Sequence, residues 1–240
     1  MFRRLHHKLV ADVLTRLDAA RLAEYNCWFG GGTAITLANG EYRESVDIDF
    51  LVSDKQSFRQ LRQLVKNHGF GSLTTHELEL GRTPSVDGYD IRTSVLVAGV
   101  AIKFEIIHEG RIDLDAPSTL DEICGLRILT RTDQVATKLL ANDDRWADTS
   151  TFSRDLIDLA MMRPDTTALE AGARKAIDAY GATVGESFNK AVTYLQDRPQ
   201  RLDDCIRALK IEAPRAVVLQ SIRELSARCA KIEGIGRRSD

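Results

Sequence analysis

The chain has 240 residues, 43% of them apolar and 28% charged, with a formal net charge of −2 at pH 7. That length suits one elaborated domain or two modest ones, and the composition is globular rather than fibrous or disordered. Near-neutral charge in both halves excludes a bulk electrostatic drive toward nucleic acid and leaves open only a local basic face.

The opening MFRRLHHKLVADVLTRLDAARLAEY sets Phe2, Leu5, Leu9, Val10, Val13, Leu14 and Leu17 at helical spacing. This predicts one amphipathic helix over the first twenty or so residues. Asp12, Asp18 and Glu24 interrupt its polar face, and no continuous apolar run is present. Core packing is therefore expected, not membrane binding or a signal peptide. A short apolar segment, Tyr25 to Phe29, leads into three glycines, and Thr33 to Asn39 reads as a short helix closed by Gly40.

VDIDFLV, residues 46–52, reads as a strand that sends Val46, Ile48 and Phe50 to one face and Asp47 and Asp49 to the other. SFRQLRQLVKNHGF predicts a helix with Phe58, Leu61, Leu64 and Val65 on its inner face. YDIRTSVLV and VAIKFEIIH, separated by Ala98-Gly99, predict an antiparallel hairpin. A small mixed-sheet α/β domain is expected over residues 1–115.

The segment DLDAPSTLDEICG, with Pro117 among small polar residues, reads as the crossing to a second domain. Helical periodicity then dominates over Asp133 to Asn142, Ser153 to Met162, Ala168 to Tyr180, Ser187 to Gln196, Leu202 to Leu209 and Pro214 to Ile232. An all-helical C-terminal domain is expected over residues 116–240, completing a cleft, with a loose tail GIGRRSD. No stretch approaches the roughly 18 apolar residues of a bilayer span. Cys27, Cys124, Cys205 and Cys229 lie far apart with no C-x-x-C pair, so buried free thiols and a cytoplasmic location are expected. His6, His7, His68, His76 and His108 show no metal-ligand spacing and receive no role. Trp28 is expected in the core, while Trp146, beside Asp143, Asp144 and Arg145, could be core or a base-stacking platform.

The chemistry concentrates in FGGGTAITLANGEYRESVDIDF. Two aspartates two apart on a strand share a face and can converge on hard cations such as Mg²⁺. Gly30-Gly31-Gly32-Thr33 opens a helix, where backbone N–H groups and the positive helix end can approach phosphate. The final Gly-Lys-Ser/Thr of a Walker A loop is missing. Glu105 in AIKFEII shares a polar strand face with Lys103 and offers a third carboxylate. Arg43 either pairs with phosphate or makes a surface ion pair, and Ser45 caps the strand entrance.

The pattern GG-T-A followed by Arg43-x-Ser45-x-Asp47-Ile48-Asp49-Phe50 resembles the polymerase-β-like nucleotidyltransferase superfamily, and within it the AbiEii/AbiGii-type toxins. Lys138 in DQVATKLLA and Arg154-Asp155-Leu156-Ile157-Asp158 resemble that family's second block, so the similarity spans roughly residues 25–160. Glu105 departs from the aspartate many superfamily members carry there.

The resemblance implies a nucleotidyltransferase that moves NMP from an NTP to an acceptor and releases pyrophosphate. Asp47, Asp49 and Glu105 would hold two Mg²⁺ ions, while Gly31, Gly32, Thr33, Arg43 and Lys138 would bind the nucleotide. Lys138 would reach the triphosphate, and Asp155 would face the cleft while Asp158 pairs with Arg154. The implied partners are an acceptor such as a tRNA 3′ end or a protein hydroxyl, and a cognate antitoxin. Two alternatives keep the fold: a small-molecule nucleotidyltransferase of the aminoglycoside type, and a nucleotide-binding module without turnover.

Overall fold

A computed structural model describes residues 2–236, so most of the expected loose tail lies outside the described residues. The chain divides into two compact units. The first runs to Glu41 and resumes over Ser45–Thr130; the second takes Tyr42–Glu44 and the chain from Arg131 onward.

The first unit opens with α1 (Leu5–Leu14) and α2 (Ala19–Glu24), two helices where the apolar spacing predicts one. The break falls at Asp18, whose carboxylate accepts the N–H of Arg21 and caps α2. Next come β1 (Trp28–Gly30), α3 (Gly31–Ala38), β2 (Ile48–Val52) and α4 (Lys55–His68). A three-stranded antiparallel meander follows: β3 (Glu79–Val86), β4 (Asp90–Val97) and β5 (Val100–His108).

Among the described residues these strands form one mixed sheet in the order β1-β2-β5-β4-β3, with β2 parallel to β5 and the other pairs antiparallel. The hairpin expected between β4 and β5 is present, and Ala98 and Gly99 both take positive φ, as a two-residue type I′ turn requires. β3 escapes the sequence reading because Gly81 and Pro84 interrupt it and its register shifts twice, all of which an edge strand tolerates.

One face of the sheet is apolar: Ile48, Phe50, Ile91, Phe104 and Ile106 are buried together with Val10 and Leu14 of α1 and Phe58 and Leu61 of α4. Phe29, Phe50, Phe104 and Phe70 run through this core with successive ring centroids 5.0–5.5 Å apart. Val46 does not join it. β2 starts at Ile48, and Val46 is 43% exposed on the segment leading in.

The first unit ends later than residue 115. The segment read as a crossing carries a two-stranded ribbon, β6 (Glu122–Ile123) and β7 (Leu126–Arg127). Leu126 and Ile128 are buried in the first core, and Leu129 N–H donates to Phe29 O. The second unit is helical, as expected: α5 (Arg131–Arg145), α6 (Arg154–Met162), α7 (Thr166–Tyr180), α8 (Thr183–Gln196), α9 (Pro199–Ala208) and α10 (Arg215–Cys229). Gly172 brings α7 close to α5, since a Cβ there would stand 2.6 Å from Thr132 O and from Val135 Cβ.

Candidate active site

The polar face of the sheet gathers the carboxylates. Asp49 lies between Gly30 on β1 and Glu105 on β5, and Arg92 of β4 continues the row. Side chains level with one another on adjacent strands, about 4.8 Å apart, leave the same face, so Asp49 and Glu105 are neighbours. Gly31 takes φ +67°, and a Cβ there would stand 2.3 Å from Asp49 Oδ2. Glycine is thus required twice at this position, for its backbone and for the approach of the carboxylate. The first turn of α3, whose N–H groups have no partner within the helix and whose dipole end is positive, begins directly against Asp49.

Asp47 stands one residue before β2 and is half-buried. Its position is fixed from behind: Thr33, fully buried, donates its hydroxyl to Asp47 O and lies 2.8 Å from Ser45 Oγ. The hydroxyl of Thr33 is therefore taken up by the segment that carries Asp47. Glu105 is mostly buried, and its Oε2 is paired with Lys103 Nζ at 2.6 Å.

In the helical unit a second charged cluster forms around α6. Asp158, fully buried, receives Arg43 Nε at 2.6 Å and Nη2 at 2.8 Å, Tyr42 Oη at 2.5 Å, and Lys138 Nζ at 2.7 Å. Asp155 receives Lys138 Nζ at 3.0 Å and a two-pronged bond from Arg145 at 2.7 and 3.0 Å. Burial alone would raise both carboxyls. The Lys138 and Arg145 charges hold Asp155 well below its ordinary range, and the Arg43 and Lys138 charges hold Asp158 below its own.

Three expectations change here. Arg43 is neither a phosphate ligand nor a surface ion pair: it is buried, with Asp158 and Glu44 O taking all three of its nitrogens. Asp158 points inward to Arg43 rather than along its helix to Arg154. The Lys138 ammonium is buried between Asp155 and Asp158 rather than free.

Residues 12–227 match the family described as Nucleotidyl transferase AbiEii toxin, Type IV TA system. The chain belongs to this toxin family. The match reaches well past residue 160, where the quoted motifs end, and takes in most of the helical unit. Among solved structures, a proposed nucleotidyltransferase from H. pylori is similar with a TM-score of 0.51 at 18% identity, covering 92% of each chain. JHP933 from Helicobacter pylori is similar with a TM-score of 0.50 at 15% identity, covering 94% of this chain and 93% of that one. At such identities the likeness is one of fold. No curated protein matches.

For an AbiEii-family chain the donor set can be tested against Mg²⁺. Among the described residues no three of the Asp, Glu, His and Cys side chains converge closely enough to hold a metal ion. Asp47 lies outside the strand, and Glu105 is engaged by Lys103. What the site does offer is two aspartates beside a glycine-opened helix start. That suits Mg²⁺, which takes one or two protein carboxylates and completes its shell with phosphate and water.

The remaining residues divide simply. Trp28 packs with Leu51 and Leu129 as expected. Trp146 is half-exposed and lines a cavity of about 1480 Å³ in the helical unit, together with Tyr194 and Arg198. Cys27, Cys205 and Cys229 are buried free thiols, and Cys124 is half-buried. No described helix is long and apolar enough to cross a membrane.

His6 and His7, given no role from the sequence, are both hydrogen-bonded to the segment that leads into β2. His7 is fully buried, its Nδ1 is 2.8 Å from Glu41 Oε1, and its Nε2 accepts the N–H of Ser45 at 3.1 Å. His6 Nε2 lies 3.0 Å from Val46 O. Burial lowers the His7 pKa, outweighing the hydrogen bond and charge of Glu41, with Arg4 and His6 adding to the decrease. The signal was present in the sequence, because His7 falls three residues before Val10 and seven before Leu14, on the buried stripe of α1.

Proposed function

We propose that this AbiEii-family chain transfers NMP from an NTP to a hydroxyl acceptor with Mg²⁺. The observation supporting this most directly is Asp49, set against the first turn of α3 at a position where only glycine fits, with Glu105 level with it on the neighbouring strand. In this reading Asp47 and Asp49 hold the metal, and Glu105 tunes the field behind Asp49. The N–H groups of Gly31, Gly32 and Thr33 hold the triphosphate, since a helix start carries unpaired donors and a positive dipole end.

Two bound Mg²⁺ ions would offset charge on the entering and leaving oxygens during in-line attack on the α-phosphorus. The acceptor hydroxyl loses its proton to solvent, the new O–P bond forms, and pyrophosphate departs.

A tRNA 3′ end is the favoured acceptor, with a protein hydroxyl second, and a cognate antitoxin would oppose the activity, as the family's place in a type IV toxin–antitoxin system implies. The test is incubation of the chain with each α-labelled NTP, Mg²⁺ and, in separate tubes, total tRNA, cell protein or small hydroxyl compounds. Label in RNA or protein that disappears with Asp49→Asn is the expected result. Label confined to small molecules would reject the tRNA and protein acceptors, and none that depends on Asp49 would reject the proposal.

A further inference from the structure

Within the first unit, a row of hydrogen bonds leads from the first turn of α1 to Asp47. Glu41, at φ +55° just after α3, accepts the N–H groups of Arg3 and Arg4 and lies 2.8 Å from His7 Nδ1. These bonds hold its carboxyl below the ordinary range although burial opposes them. A carboxylate at Nδ1 fixes the proton there and leaves Nε2 as an acceptor. Ser45 N–H donates to that nitrogen, Ser45 Oγ meets Thr33 Oγ1, and Thr33 donates to Asp47 O. His6 holds the next link at Val46 O. The segment that carries Asp47 has no strand pairing of its own, since β2 begins only at Ile48. Residues 45–47 are thus held by these side chains, while Tyr42 and Glu44 have backbone bonds of their own with Glu212 and Leu209.

We propose that His7 is a positioning residue for the metal site: in the Glu41-bound tautomer it accepts from Ser45 and thereby sets Asp47 beside Asp49. This inference rests on the reading of Asp47 as a metal ligand. An arginine or a second carboxylate would serve worse at position 7, because the site needs one donor toward Glu41 and one acceptor toward Ser45 on a rigid frame, and neutral imidazole supplies both.

The two roles can be separated by amide side chains. Gln can place its oxygen where Nε2 stands and keep the Ser45 acceptor; Asn reaches only as far as Nδ1 and keeps the Glu41 contact. His7→Gln and His7→Asn are compared with wild type for amide hydrogen exchange across residues 45–47, for thermal midpoint, and for the Mg²⁺ concentration giving half-maximal NMP transfer. His7→Gln is expected to stay within about threefold of wild type in exchange and Mg²⁺ requirement. His7→Asn is expected to exchange at least tenfold faster over residues 45–47 and to need roughly tenfold more Mg²⁺, with little change in KM for the acceptor and a thermal midpoint close to that of His7→Gln. Equal exchange in the two variants, or faster exchange without a change in Mg²⁺ requirement, overturns the proposal. If wild type gives no Asp49-dependent transfer, the nucleotidyltransferase reading fails, and the exchange contrast alone still decides whether His7 holds the segment.

Discussion

Gly31→Ala is the sharpest perturbation available at this site. The new methyl would meet Asp49 Oδ2 at 2.3 Å and Asp49 Cβ at 2.9 Å, at a residue whose φ is +67°. A left-handed backbone costs a non-glycine residue about 1 kcal/mol. Ordinary contact begins near 3.4 Å, so the carboxylate oxygen must also retreat by roughly 1 Å, and an off-rotamer side chain costs about another 1 kcal/mol. The contact with Asp49 Cβ, which the strand backbone fixes, is relieved only by a shift of β2 or α3, so the expected loss of stability is at least roughly 2 kcal/mol. The loss of activity should be large, because a misplacement of about 1 Å at reacting groups lowers rate on the order of 100-fold. Gly69→Ala is the control: its φ is +76°, yet a Cβ there meets nothing within 4 Å. Urea unfolding and labelled-NTP transfer, measured on both variants, separate strain from displacement. Gly69→Ala, at φ 76° and ψ 176° in a region essentially reserved for glycine, should lose about 1–3 kcal/mol and keep its transfer rate. If Gly31→Ala retains the rate of Gly69→Ala, the close approach of α3 to Asp49 has no part in the chemistry.

Thr33→Val removes one hydroxyl at constant shape and leaves Asp47 O without its donor; a cost of about 1–2 kcal/mol is expected, together with a reduced kcat at unchanged thermal cooperativity, read by calorimetry and transfer kinetics. Arg43→Ala should destabilise the chain by about 3 kcal/mol in urea, since Asp158 stays buried after losing a two-pronged partner, and Arg43→Lys should recover only part of this because an ammonium cannot reproduce the fork. Stability should be level at neutral pH and fall as pH drops. His7, depressed in the folded state, contributes fully above its ordinary 6.5 and loses that contribution below it; Glu41, Asp155 and Asp158, also depressed, lose theirs below 4.5 and 3.8. Urea midpoints taken from pH 8 to pH 3 check this, and a midpoint that rises between pH 7 and pH 5 would contradict a His7 held neutral in the fold.

The parts of the fold legible in the sequence were those written as period or turn chemistry. The alternation of IDF and KFEII gave β2 and β5, Ala98-Gly99 gave the hairpin turn, and the 3.6-residue spacing after residue 130 gave the helical unit. β3 was lost because edge strands tolerate Gly81 and Pro84, and the unit boundary was misplaced because Leu126 and Ile128 show their burial only in three dimensions. At the site the sequence named Gly31, Asp47 and Asp49 by residue type, but not what locates them. A motif reading treats Arg43 and Thr33 as groups offered to a ligand, since both sit between the glycines and the aspartates. Their burial assigns them to the scaffold instead: Arg43 to Asp158, 115 residues away, and Thr33 to the backbone of Asp47. The same reading passed over His7 because it lies outside the motif and has no metal-ligand spacing. Yet an aspartate one residue before its strand lacks the ladder bonds that fix Asp49 between β1 and β5. Asp47 therefore depends on side-chain hydrogen bonds from α1 and α3, and a variant that weakens Asp47 need not lie anywhere near the aspartates in sequence.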